Sequence, residues 1–467
     1  MVVTTALLCV FTIGAGAAVA RLLPTRLALW RQARIVTVPL VGPSSALSAA
    51  TGTVSTPPGI TMQGLSGALA PFLGSGALGP SVGMLVTNLT TGQVLYSQNS
   101  STAFTPASTT KLATSIAALQ VLGADARFTT TVVAGASSRS IVLVGGGDPT
   151  LAAGRPPTSD YPQPATLLDL AGATARALRE RGIKSVRLGY DTALYAGPGL
   201  GPGWDSDDVS TGNVTVITPL EVDQGRLTPS GQPEDADDPG NFRPRSTDPA
   251  LQAAQAFASF LGADGISVTG GPVPATAPRG AATLASVSSP PLSQIIEWML
   301  EESNNVIAEN LARHIALATG AQPSFAGAAA AEESVLRRLG VTGIQLYDGS
   351  GLSHNDLITP AALVQLIGLA ANRPALRSVL TGLPVYGFSG TLSNTDSTFY
   401  GGAGPALGMV RAKTGNLETV IALAGVAYAR DGQLLAFAVM ADRLRSLPAA
   451  GQTLAGIANV LAGCGCR

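Results

Sequence analysis

An apolar stretch beginning at Val82 (VGMLVTNL) breaks at Thr90-Thr91-Gly92 and resumes in QVLYS, which predicts a β-hairpin. After a loop containing Pro106, Leu112, Ile116 and Leu119 recur at helical spacing, so a helix is expected over 108–122 with Ser108 in its first turn. Short strand patterns follow in TTTVVA, SIVLVGG and KSVRLGY. They are interleaved with helical patterns near 166–181 and 249–261 and with loops dense in Gly, Pro and Asp. From Pro290 helices dominate: LSQIIEWMLEE, NVIAENLARHIAL and a third near 327–339. The chain then returns to strands, MVRAKTG, TVIALAGVAYA and QLLAFAVMA, the last two joined through Arg430-Asp431-Gly432 as an antiparallel hairpin. A final helix is expected near 447–461, and no repeat suggests a solenoid.

Upstream of these elements the pattern is different. Residues 2–20 are uncharged and mostly apolar and end in Ala18-Val19-Ala20, long enough for a signal peptide or a single membrane span. Arg21, Arg26, Arg31 and Arg34 follow it, a flank that argues for the opposite orientation of a span. Export is the expectation, with the segment either cleaved or kept as an anchor. Residues 37–60 are rich in Ser, Thr, Pro and Gly without apolar period or charge, the composition of a spacer. The 467 residues allow two to four domains. A net charge of -1, with 28 basic and 29 acidic residues spread along the chain, offers no field for nucleic acid. Cys9, Cys464 and Cys466 lie near the ends, so the body has no disulfide framework, and an unstructured C-terminal tail is expected.

Three short motifs carry the chemistry. Ser108-Thr109-Thr110-Lys111 is an S-x-x-K tetrad that puts a hydroxyl and an amine one turn apart on one helix face. A serine hydroxyl needs an adjacent base to become a nucleophile, and lysine serves only when held neutral. The 28 basic residues include only three lysines, Lys111, Lys184 and Lys413; the rest are arginine, which cannot be deprotonated. Two of those lysines therefore sit inside candidate motifs. Ser303-Asn304-Asn305 falls between two helical patterns, where Ser303 and Asn305 could shuttle a proton and fix a substrate amide. Lys413-Thr414-Gly415, at the end of a strand, offers a cation and a hydroxyl for a carboxylate, and a glycine that lets substrate backbone approach. Each motif alone is weak: S-x-x-K also describes a solvated helix face, and Ser and Asn between helices serve as caps. Their order and contexts together are specific.

In FTPASTTKLATS, LVGGGDPTL, SSPPLSQIIEWMLEESNNVIAENLAR, YDGSGLS and MVRAKTG the chain resembles the low-molecular-mass class C penicillin-binding proteins, the D-alanyl-D-alanine carboxypeptidase/endopeptidase family. The resemblance spans roughly 80–445. It implies an α/β (α+β) transpeptidase/β-lactamase-like domain, with a five-stranded antiparallel sheet flanked by helices and an inserted mixed α/β domain. On that reading 1–35 is the signal or anchor segment, 36–60 the linker, 61–122 and 288–467 the catalytic domain, and 123–287 the insertion. It further implies that Ser108 attacks the penultimate D-alanine carbonyl of peptidoglycan stem peptides, with Lys111 taking its proton. Ser303 and Asn305 would assist, Lys413 with Thr414 would hold the terminal carboxylate while Gly415 lets the substrate backbone come close, and the N–H groups of Ser108 and Asn416 would cradle the oxyanion. Partners would be stem peptides and β-lactams, with no nucleic acid, and the membrane only if the N-terminal segment stays attached. No metal or cofactor is called for. One departure stands out: His354 follows DGSGLS where the family commonly has arginine. The alternatives weighed are a β-lactamase-like hydrolase, a non-catalytic wall-binding or β-lactam-binding protein, and a Ser-His-Asp hydrolase restricted to His314 or His354.

Overall fold

The computed structural model describes residues 59–227, 243–393 and 398–466, all within the compact unit Pro57–Arg467. The apolar N-terminal segment and nearly all of the spacer lie outside the described residues. Along the chain the elements are α1 (Met62–Leu73), β1 (Ser81–Asn88), β2 (Val94–Gln98), α2 (Lys111–Leu122), β3 (Thr129–Ala134) and β4 (Ser140–Val144). Next come α3 (Leu167–Glu180), β5 (Ser185–Asp191), α4 (Pro249–Ala263), β6 (Ser267–Val268), β7 (Val273–Pro274) and β8 (Thr283–Ser288). The C-terminal part contributes α5 (Leu292–Glu301), α6 (Asn305–Thr319), α7 (Phe325–Arg338), β9 (Ile344–Gln345), β10 (Leu357–Ile358), α8 (Pro360–Asn372) and α9 (Arg377–Thr381). It closes with β11 (Val410–Leu417), β12 (Val420–Tyr428), β13 (Leu434–Asp442) and α10 (Leu447–Gly463).

A five-stranded sheet runs β11-β12-β13-β1-β2, antiparallel throughout. It is buried on both faces, which is why its strands read as unbroken apolar runs instead of alternating ones. In β13, Leu435, Phe437, Val439 and Ala441 join one core with α1 and α10, while Ala436, Ala438 and Met440 face the helical core on the other side. At the centre of that second core lies α2, buried on every side from Lys111 to Leu119. A six-stranded mixed sheet, β6-β5-β4-β3-β8 with β7 on β5, has its own core against α3 and α4. This mixed α/β arrangement is the fold class the motifs imply.

Three details differ from the sequence reading. The stretch Ala107–Thr110 is a 3-10 turn, and the α-helix starts only at Lys111. The helices α1 and α8 are not among the expected elements, although Leu65, Leu69 and Phe72 in the first and Leu363, Leu366, Ile367 and Ala370 in the second recur at helical spacing. The C-terminal tail is ordered: Cys464 is buried and disulfide-linked to Cys466, whose carbonyl accepts from Thr61 N at 2.9 Å.

Candidate active site

Each motif residue is placed by the end of an element. Ser108 lies in the 3-10 turn, where residues three apart stack directly over one another. Lys111 therefore stands against it, and its Nζ donates to Ser108 Oγ at 2.9 Å. The turn is held by Thr109 Oγ1 donating to Pro106 O at 2.7 Å, and Ala107 before it adopts φ 46°.

Ser303 owes its position to the end of α5. Asn304 N donates to Met299 O at 2.9 Å, a Schellman closure in which Ser303 takes the left-handed position with φ 57°. That position favours glycine, so the serine side chain is kept there at a conformational cost on the order of 1–2 kcal/mol. Asn304 then caps α6 by accepting from Ile307 N at 3.0 Å, which leaves Asn305 as the first helical residue.

The third motif lies on β11, an edge strand that runs beside the 3-10 turn. A Cβ on Gly415 would come within 2.7 Å of Pro106 O and 3.2 Å of Ser108 N, so only glycine lets the strand lie this close. The side chain of the following residue, Asn416, is exposed.

The result is one cluster. Lys111 Nζ donates to Ser108 Oγ, to Asn305 Oδ1 at 2.6 Å and to Ser350 O at 2.8 Å. Lys413 Nζ donates to Ser303 Oγ at 2.8 Å and to its neighbour's carbonyl, Thr414 O, at 2.9 Å. Both lysines are fully buried, whereas Ser108, Ser303 and Asn305 are partly exposed. Hydroxyls thus face the cleft with amines sealed beneath them. Burial lowers the Lys111 pKa to about 7, against the opposing pull of Asp348 and Glu309. Burial, then repulsion from Lys111, holds Lys413 well below the usual lysine range, with Glu302 opposing.

Two contributors were not legible as site residues. Thr391, in a short 3-10 turn, shares a 2.6 Å hydrogen bond with Thr414 Oγ1. The DGSGLS turn supplies the Ser350 carbonyl that meets Lys111, and two carboxylates hold it in place. Glu309 Oε1, on α6, accepts from Ser350 N at 2.8 Å, and Asp348 accepts from Gly351 N at 2.6 Å and Ser353 N at 2.7 Å. Gly351, at φ 83°, backs onto Ala107 O, where a Cβ would overlap at 1.9 Å.

Neither histidine serves a serine. His314 stacks on Phe128 at 3.8 Å and meets Gly147 O at 2.9 Å, with burial lowering its pKa to about 4. His354 is exposed and lies 3.3 Å from Asp205. Asn305 Nδ2 donates to Asn213 O at 2.9 Å, tying the 197–219 loop to the cluster.

A two-faced antiparallel sheet between helices, with S-x-x-K, S-x-N and K-T-G brought to one cleft, is the architecture of the penicillin-recognising serine peptidases. The chain belongs to the D-Ala-D-Ala carboxypeptidase 3 (S13) family, whose model matches residues 65–244 and 233–462. It is 38% identical over 412 residues to the carboxypeptidase DacB of Mycolicibacterium smegmatis, covering 87% of this chain and 85% of that one. It is 30% identical over 493 residues to a D-alanyl-D-alanine carboxypeptidase of an Actinomadura species, covering 88% of this chain and 86% of that one. The crystal structure of penicillin binding protein 4 from Haemophilus influenzae superposes with a TM-score of 0.65 at 22% identity, covering 85% of this chain and 98% of that one. The protein is thus a serine-type carboxypeptidase acting outside the cytoplasm. Among the described residues no helix is long and apolar enough to cross a membrane.

Proposed function

We propose that this carboxypeptidase cleaves the terminal D-alanine from peptidoglycan stem peptides through an acyl-enzyme on Ser108. The observation that carries the reading is the 2.9 Å approach of a buried, pKa-lowered Lys111 to the Ser108 hydroxyl. A neutral amine has two N–H groups and a lone pair. The three donations from Nζ belong to the ammonium; in the neutral form Asn305 Oδ1 and Ser350 O accept the two N–H groups, and the contact with Ser108 reverses so that the lone pair accepts from the hydroxyl.

Ser108 Oγ adds to the carbonyl of the penultimate D-alanine as its proton passes to Lys111. The oxyanion lies between the N–H groups of Ser108 and Asn416, where one donor is worth on the order of 10²–10³ in kcat. The C–N bond then breaks, and the departing amine takes the proton held on Lys111, with Ser303 in reach to relay it. Water attacks the ester, releasing the shortened peptide and restoring Ser108. Lys413, Thr414 and Thr391 receive the terminal carboxylate, and binding it stabilises the charged form of Lys413. A β-lactam, which presents a carboxylate beside a reactive amide, acylates the same serine.

The domain division proposed from the sequence, with 123–287 inserted between the first and second motifs, is consistent with the separate core of the six-stranded sheet. We also propose that the segment 2–20 directs export. The test is release of free D-alanine from a pentapeptide ending in D-Ala-D-Ala. Release by the wild type and none by Ser108→Ala supports the reading, and equal release by both overturns it.

A further inference from the structure

Two turns beyond the catalytic cluster, α6 carries a buried cation that the reaction does not use. Arg313 is 1% exposed, and its guanidinium stacks on the Phe325 ring at 3.9 Å. Its Nε and Nη1 meet no hydrogen-bond acceptor, and it forms no ion pair with any described residue. A guanidinium has five N–H groups and is always charged, so leaving the three on Nε and Nη1 unmatched in the interior is costly. The nearby carboxylates do not compensate for it. Glu309 and Glu332 act on Arg313 electrostatically, but neither lies within hydrogen-bond or ion-pair distance of its guanidinium. On the Tyr195 side, burial raises Glu221 to about 8 and Asp148 to about 6.

The guanidinium lines a polar chamber of about 140 Å³ whose other walls include Thr192, Tyr195, Gly197, Thr218 and Pro219. The Tyr195 hydroxyl is spent on Asn310 Oδ1 at 2.8 Å. The chamber opens to solvent beside the exposed Gly197 and Pro198 and has room for a compact polar group. We propose that this chamber is a binding site for a small monoanion, a halide or a short carboxylate, held by Nη2 of Arg313, with the charge of the whole guanidinium behind it.

The walls of the chamber give such an anion a consequence. Residues 192–198 and 217–219 are the two ends of the loop whose Asn213 carbonyl accepts from Asn305 at 2.9 Å. An anion on Arg313 pins that loop to α6 and so holds Asn305 in register with Lys111. The site is separate from the nucleophile, and its occupancy can be measured whether or not Ser108 reacts.

The direct test is the anomalous difference map of wild-type crystals soaked in sodium bromide. A peak in the chamber beside the Arg313 guanidinium is the expected result. In solution, replacing gluconate by bromide or acetate at fixed ionic strength raises the melting temperature by about a few degrees. Arg313→Met, which keeps a long side chain over Phe325, loses that dependence. A response to bromide and acetate alike identifies a general monoanion site, and a response to acetate alone a carboxylate site. Only water in the chamber, with a melting temperature indifferent to the anion, overturns the proposal even where Arg313→Met does not fold.

Discussion

Lys111 and Lys413 stand in the same cleft, both fully buried, each donating to a serine hydroxyl and to a main-chain carbonyl. Their counter-charges differ. Asp348 and Glu309 oppose desolvation at Lys111, which settles at about 7. At Lys413 only Glu302 opposes burial and the repulsion of Lys111, so it falls well below the usual range. The base is thus tuned by carboxylates built into the protein, whereas the second lysine waits for a carboxylate that the substrate brings. Two lysines in one cleft acquire different tasks from what surrounds them.

The sharpest way to break this comparison is Lys111→Arg, which keeps the charge and removes the base. Acylation should fall by about 10²–10⁴-fold, measured by stopped-flow with a chromogenic β-lactam. Retained activity would dismiss Lys111 as base. Lys413→Ala probes the other half. Wild type should prefer a peptide ending in carboxylate over its amide by about 10–10²-fold in kcat/KM, and the variant should lose that preference. A preference that survives would place carboxylate recognition elsewhere.

Ser303→Gly separates chemistry from folding. Glycine accepts the left-handed backbone without strain, so the variant should be more stable by up to about 1 kcal/mol by denaturant titration while losing activity. Lower stability would mean the hydroxyl is there for the fold.

The smallest effect is a shift in pH dependence. Only neutral Lys111 accepts a proton, so wild-type acylation should rise with pH through a midpoint near 7 and fall away below it. Glu309 raises the Lys111 pKa, and a glutamine carbonyl can still accept from Gly349 and Ser350. Glu309→Gln should therefore move the midpoint down, by less than about one unit. An upward shift would contradict the assigned electrostatics.

The three motifs are legible in the sequence because each is local. Ser108 and Lys111 meet within one turn, Ser303 and Asn305 straddle one helix junction, and Lys413 to Gly415 follow one strand. The five-stranded sheet is legible for a related reason: β12 and β13 are long apolar runs joined at Asp431-Gly432. What tertiary packing creates is not legible. Thr391 carries no motif and reaches Thr414 only because the 390–392 turn folds against β11. The Ser350 carbonyl is a main-chain atom, so no residue type announces it. The apolar spacing starts α2 at Ser108, three residues before the α-helix begins at Lys111, because it does not distinguish a 3-10 turn from the first turn of an α-helix. The helix α1 hides behind Pro71 and its small residues, and the C-terminal tail is ordered by docking beside it.

The central claim is that Ser108 is the nucleophile. It is tested most directly by intact-protein mass spectrometry of the full chain after incubation with benzylpenicillin, beside Ser108→Ala. A single penicilloyl adduct on the wild type and none on the variant is the predicted result. An adduct on both, or on neither from folded protein, would contradict it.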